Sequence, residues 1–161
     1  RVDQAGDAAT ARIFASLDLG TTAGNRKKFE SFLEGTIQTV FEFLFDHPPY
    51  LKILFWEAAE EWKTWNKLDY RPDDFSKLEQ LVKKAQSSGI VRQDFDPALF
   101  PTLVMTITAG AINFSQRFGS SFWADDERSR QQKRLAEAMV TVIKKSLLTR
   151  ESEGNGDYDS D

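Results

Sequence analysis

The sequence predicts an all-α domain of about six helices, and three observations carry that prediction. Apolar residues recur at three- and four-residue steps in long blocks, proline and glycine punctuate the block ends, and no run alternates like a strand. The stretch 87–118 shows the logic most plainly. Gly89 can take positive φ just past a helix, and Ile90 can fold back onto that helix's last apolar side chain. Asp96 before Pro97 then reads as an N-cap with proline in the first helical position.

In chain order, residues 7–19 predict a short helix with Ile13, Phe14 and Leu17 as its apolar edge and Gly20 as its stop. A turn-rich joint, 21–25, precedes a second helix of about twenty residues, built on Phe29, Phe32, Leu33, Ile37, Val40 and Leu44. Phe41, Phe43 and Phe45 make that helix apolar nearly all round toward its end, which places it at the bundle centre. Asp46-His47-Pro48-Pro49 ends it, because proline cannot extend the hydrogen-bond ladder. A third helix follows at once, with Leu51, Leu54, Phe55, Ala58, Trp62 and Trp65 on one stripe and Ile53 and Trp56 off it.

Residues 69–74, with Pro72, read as a polar joint before a shorter helix carrying Phe75, Leu78, Leu81, Val82 and Ala85. In the long helix after Asp96, Phe100, Leu103, Val104, Ile107, Ala111, Phe114 and Phe118 share one stripe. Thr102, Thr106, Ala109 and Asn113 form a second, small and uncharged face. A helix with no charged arc before Arg117 is buried on more than one side, against its own core and something else, such as a second copy of the chain. Pro101 removes an early hydrogen bond, so the helix is expected to start there or bend. The loop 119–126 carries Phe122 and Trp123, with Asp125 or Asp126 placed to cap the last helix. That helix has a polar first half and an apolar second half on Leu135, Ala138, Met139, Val142, Ile143 and Leu147.

The 161 residues, 40% of them hydrophobic and 12% aromatic, suffice for one domain with a substantial core. Five of the acids in the net charge of −4 fall in residues 151–161, leaving 21 basic against 20 acidic side chains. The body therefore has no dominant sign and advertises no nucleic-acid surface. There is no cysteine, which excludes disulfide and thiolate chemistry and is compatible with a cytoplasmic location. No uninterrupted apolar run approaches a membrane span and no signal-peptide pattern opens the chain, so the protein is expected to be soluble. The start at Arg1 suggests a processed protein or a piece of a longer one.

The order of elements, the turn Ser88-Gly89-Ile90-Val91-Arg92 and the cap Asp94-Phe95-Asp96-Pro97 together resemble the C-terminal ligand-binding and dimerisation domain of TetR/AcrR-family transcriptional regulators. The resemblance spans roughly 29–148. It implies a helical bundle whose last two long helices pair with a partner's to form a four-helix homodimer interface. It also implies a small, largely apolar or aromatic effector, whose binding is relayed to an N-terminal helix-turn-helix module that these residues do not contain. On that basis residues 1–20 are the end of a connecting helix or a linker, 21–150 the effector-binding and dimerisation domain, and 151–161 a disordered acidic tail. No catalytic residue, metal site or cofactor is expected, and any DNA contact belongs to the missing module.

Similar proteins surround their effector with the helices that here carry Phe41, Phe45, Phe55, Trp62, Trp65, Met105 and Phe114, which makes these the expected ligand-binding residues. Each is also an ordinary core residue by spacing. Thr106 and Asn113, polar groups on an otherwise apolar helix, either orient a ligand or sit at a close helix crossing or dimer seam. The expected dimer interface comprises Thr102, Ala109, Leu135, Met139, Val142 and Ile143. His47 reads as a solvated turn residue, since neither metal ligands nor a nucleophile accompany it. Glu57, Glu60 and Glu61 read as a solvated flank, and Arg128, Arg130, Lys133 and Arg134 as a wet helix face. The alternative function is a helical module that binds a partner protein and no small molecule.

Overall fold

The structure, a computed structural model, describes residues 2–15, 17–63, 72–118 and 128–150. They form seven α-helices: α1 (Val2–Phe14), α2 (Leu19–Ala23), α3 (Arg26–Asp46), α4 (Pro48–Ala59), α5 (Pro72–Ser87), α6 (Phe100–Phe118) and α7 (Arg128–Leu147). The described residues contain no strand, only an isolated antiparallel bridge between Val91 and Leu148. The all-α prediction holds. Trp65, the loop with Phe122 and Trp123, the capping Asp125 or Asp126 and the acidic tail lie outside the described residues.

Helix α3 is the hub, packed against α1, α2, α4, α6 and α7. Asn25 starts it: its Oδ1 accepts from the Lys28 N–H at 3.0 Å and its carbonyl from the Phe29 N–H at 2.9 Å. Phe29, Leu33, Ile37, Phe41 and Leu44 are fully buried along it, as the dense apolar pattern requires. Truncating Phe29 or Phe41 to alanine would remove about 3–5 kcal/mol, a large share of the roughly 5–15 kcal/mol that holds a domain together. His47 ends α3 and opens α4, with Pro48 and Pro49 at positions whose missing N–H groups would have no helical partner anyway.

Several boundaries differ from expectation. The first helix runs from Val2 to Phe14, and Gly20, expected as its stop, instead lies in the unforeseen helix α2. The Asp18 carboxylate caps α2, accepting from the Gly20 and Thr21 N–H groups at 2.9 and 3.1 Å. Those backbone donors, Thr21 first, hold the Asp18 carboxyl below its ordinary value. Thr22 and Ala23 of α2 are buried where it meets α3 and α5. Pro72 begins α5 rather than interrupting a joint, with Asp73 and Asp74 complementing the helix dipole. Helix α4 stops at Ala59, short of Trp62, because the chain turns back on itself. The Trp62 N–H reaches the Glu57 carbonyl at 2.8 Å, and Glu61 and Trp62 both take left-handed backbone, φ 59° and 60°. Each such non-glycine residue carries about 1–2 kcal/mol of strain.

Helix α5 ends in the predicted way. Gly89 has φ +72°, and the Gly89 and Ile90 N–H groups return to the Gln86 and Ala85 carbonyls, both at 2.9 Å. Asp96 then caps a 3-10 turn, Pro97–Leu99, and α6 starts at Phe100. Pro101 falls in the first turn, where its missing N–H breaks no bond. The buried ladder of α6 is Phe100, Val104, Thr108 and Ile112, while Phe114 and Phe118 of the expected stripe face outward. The segment Pro97–Ser115 reaches the length and mean hydropathy (1.4) of a membrane span, because its interrupting residues are threonines rather than charges. In the fold it packs against α3, α5 and α7.

The chain after α7 closes the bundle. The Arg92 N–H donates to the Leu147 carbonyl (2.9 Å) and the Thr149 N–H to the Ile90 carbonyl (3.0 Å). Arg26 at the start of α3 holds Thr149 through its hydroxyl (3.1 Å) and carbonyl (2.7 Å). Lys144 of α7 also reaches α3, with Nζ 2.6 Å from Glu34 Oε1 and 3.1 Å from Glu30 Oε2. The hydrogen bond to Glu34, then that to Glu30, holds the ammonium above its ordinary value of 10.5 against some desolvation. At the other end, α1 lies on α3 with Gly6 near Phe43 and an exposed Arg12–Glu42 pair at 3.4 Å.

Two glycines should respond oppositely to alanine. At Gly89 an added Cβ meets no atom within 4 Å, so the left-handed backbone is the whole penalty, about 1–2 kcal/mol. Gly35 is exposed inside α3 with equally open space, and Gly35→Ala should stabilise by about 0.5–1 kcal/mol. Urea denaturation of both variants checks the signs. For Lys144, a raised folded-state pKa gives stability that is complete below the unfolded value near 10.5 and is lost as pH climbs through the folded value. Lys144→Met should therefore cost stability at neutral pH, and its difference from wild type should shrink above about pH 10.5. A difference independent of pH would assign the loss to stem packing instead.

Candidate functional site

Aromatic side chains gather where α3 runs into α4. Phe41 and Phe45 are buried and stacked, centroids 5.5 Å apart at 22°, and Phe55 of α4 and Met105 of α6 pack half-buried against the same core. Four of the expected ligand-binding residues thus share one apolar interior. On another face of α3, Phe43 meets the His47 ring at 4.9 Å and the edge of Tyr50 at 4.8 Å. His47 is not the solvated residue expected: it is half-buried, and its Nδ1 lies 2.8 Å from the Phe43 carbonyl, which can only accept. Nδ1 therefore donates to that carbonyl, and the ring serves the α3–α4 corner.

The other expected ligand-binding residues stand apart from that interior. Trp62 lies beyond α4 and is 39% exposed. Thr106, Asn113 and Phe114 are all exposed on α6, so their helix turns them away from the subunit's interior. Glu57, read as solvated, is buried, while Glu60 and Glu61 are exposed as expected. Arg130, Lys133 and Arg134 do form a wet face, although Gln131 beside them is buried.

A groove of about 620 Å³ runs between α3 and α7, with Phe41, Ala136 and Val140 as its apolar wall. Its polar rim is charge-matched. Glu34 takes Lys144; Glu42 takes Arg12 and the Gln38 amide (3.1 Å); Glu137 lies 3.9 Å from Lys133. The sequence reading missed this feature, although Glu34, Gln38 and Glu42 at four-residue steps, matched by Lys133, Glu137 and Thr141, could have shown two facing polar edges. Among the described residues, no three His, Asp or Glu side chains lie close enough to hold a metal ion.

Three large apolar side chains on α6 and α7 stand uncovered among polar neighbours. Phe114 is 53% exposed and Phe118 77%, their rings stacked at 6.0 Å, and Val142 of α7 is 55% exposed. Thr102, Thr106 and Asn113 lie exposed on the same helix α6. Of the residues expected at the dimer interface, Thr102 and Val142 are therefore accessible and Leu135 is half-buried. Ala109, Met139 and Ile143 are not accessible, because their side chains are already enclosed by the subunit's own core.

The comparisons with known proteins bear on the whole of this arrangement. Neither the curated proteins nor the solved structures contain a match to the chain. The family model described as "Tetracyclin repressor-like, C-terminal domain" matches residues 30–143, from the first turn of the hub helix through Ile143 in the core half of α7. That span covers well over half of the sequence, so the chain belongs to the tetracycline-repressor-like C-terminal domain family.

Proposed function

We propose that this chain is the effector-sensing and dimerising part of a TetR-type transcriptional regulator. It binds a small, largely apolar molecule and relays that event to a DNA-binding module outside these residues, in the cytoplasm. The family match over 30–143 carries the reading. The apolar interior where α3 meets α4 and α6 supports it, since effector pockets are mostly apolar with few polar groups. A ligand acts in such a domain only by binding one helix arrangement better than another. The route outward is α1, which rests on the hub helix through Gly6 and Phe43 and through the exposed Arg12–Glu42 pair.

The homodimer forms through exposed side chains of α6 and α7, among them the stacked Phe114 and Phe118 and, on α7, Val142, with Thr102, Thr106 and Asn113 exposed on α6. Uncovered aromatic residues at this density mark an interaction surface, and a face that pairs with itself closes a two-fold dimer. A second reading, a helical module that binds a partner protein, draws on Ile53 and Trp56, 48% and 58% exposed on α4.

Light scattering over a dilution series tests the first reading. The wild-type chain should have twice the monomer mass, and Phe114→Glu with Val142→Glu should give a folded monomer, because burying two carboxylates from each subunit at a symmetric seam costs several kcal/mol. A wild-type monomer at every concentration would rule out the self-pairing and favour the partner-binding module. Retention of the dimer in the variant would place the interface elsewhere.

A further inference from the structure

The groove between α3 and α7 is not accounted for by the effector reading, whose apolar interior lies where α3 meets α4 and α6. The two helices run antiparallel and are pinned at one end, where Arg26 holds Thr149 and Lys144 reaches Glu30 and Glu34. Toward the other end the groove opens between them, about 620 Å³ in volume and so within the range of small-molecule sites. Phe41 stands at its base, and the half-buried Ala136 and Val140 line its α7 side. Around this apolar strip the lining carries three carboxylates, Glu34, Glu42 and Glu137, against one ammonium, Lys133.

The cations that offset these carboxylates are held unequally. Lys144 is half-buried between Glu34 and Glu30, at 2.6 and 3.1 Å. Arg12, by contrast, enters from α1 with a side chain that is 65% exposed, and meets Glu42 at 3.4 Å. Lys133 and Glu137 are both exposed and stand 3.9 Å apart. Pairs as open to water as these two are weak and exchange readily. Glu42 on one wall and Glu137 on the other are therefore negative groups with lightly held partners. The carboxylates do not converge: among the described residues, no three acidic or histidine side chains lie close enough to hold a metal ion. Glu34 and Glu42 are two helical turns apart, about 12 Å along the axis. Spread negative charge beside an apolar strip fits an organic cation, which brings an ammonium for the carboxylates and hydrocarbon for the strip.

We propose that this groove is a binding site for a small organic cation, an ammonium group on an apolar body, held between Glu42 and Glu137 over Ala136 and Val140. To bind, the ammonium takes the place of Arg12 at Glu42, so occupancy of the groove and the α1–α3 ion pair are alternatives. The site is separate from the apolar-effector interior and does not depend on it.

Calorimetric titration of the full chain with 1-naphthylmethylamine, 1-naphthylmethanol and 1-naphthylacetate, one ring system as cation, neutral molecule and anion, tests this. Wild type should bind the amine about tenfold more tightly than the alcohol, and the acid most weakly. Glu42→Gln/Glu137→Gln should bring the amine down to the affinity of the alcohol and leave the alcohol unchanged. The two single variants read the positions separately if the double variant does not fold. Arg12→Gln, which removes the competing cation, should tighten amine binding about two- to fivefold. Failure of wild type to prefer the amine, or a preference that survives in the glutamine variants, would overturn the site. Amine binding unchanged by Arg12→Gln would overturn the exchange at Glu42. Equal affinity for amine and alcohol in every variant is what the apolar interior alone would give, and would overturn the groove while leaving the effector reading intact.

Discussion

Burial of α3 on most of its circumference is the constraint on which the remaining structure depends. A helix touched by α1, α2, α4, α6 and α7 must present apolar groups in several directions, and the run from Phe29 to Phe45 does so. It must also keep one edge polar, or it would have no fixed register against its neighbours. Glu30, Glu34, Gln38 and Glu42 supply that edge, and Lys144 and Arg12 read it from opposite ends. The apolar stripe provides most of the free energy, while exposed ion pairs contribute about 0.2–1 kcal/mol each. The pairs therefore select an arrangement more than they stabilise it.

The polar edge of α3 is also where its outer neighbours attach. Helix α7 is tied to α3 by two carboxylates and, through Thr149, by the Arg26 fork. Helix α1 rests on α3 beside the Phe43 ring, with Ile13 and Phe14 packed on the core, an exposed ion pair to Glu42, and Lys77 of α5 lying 5.6 Å from the Phe14 ring.

Much of this architecture was legible in the sequence because it rests on local rules. Gly89 and Ile90, Asp96 and Pro97, and the Pro48-Pro49 pair each leave few backbone alternatives, and the dense phenylalanines of 29–45 could only be central. What was missed depends on tertiary contact. Helix α2 is too short for periodicity to show and persists because Thr22 and Ala23 are covered by other helices. Trp62 continues the spacing of α4 but leaves the helix through left-handed turns at residues that give no glycine signal. On α6 the sequence offers two threonine positions that look alike, 106 and 108, and helical phase alone sends one outward and the other into the core. The expected site and interface rest on the same ambiguity: Phe114, expected against a ligand, is 53% exposed, and Ile143, expected at a seam, is fully buried in the core.

The contact between Arg26 and Thr149 spans 123 positions, and it bears on how the domain is made. A ribosome releases α3 early and α7 last, so the hub helix emerges long before the elements that cover its far side. Until α6 has been made, Phe29, Leu33 and Phe41 have only α1, α2 and α4 of their partners for shelter, and the closing turn cannot form until residue 149 is free. Over that interval the apolar side of α3 lacks part of its cover, the situation in which partly made helical domains are prone to associate.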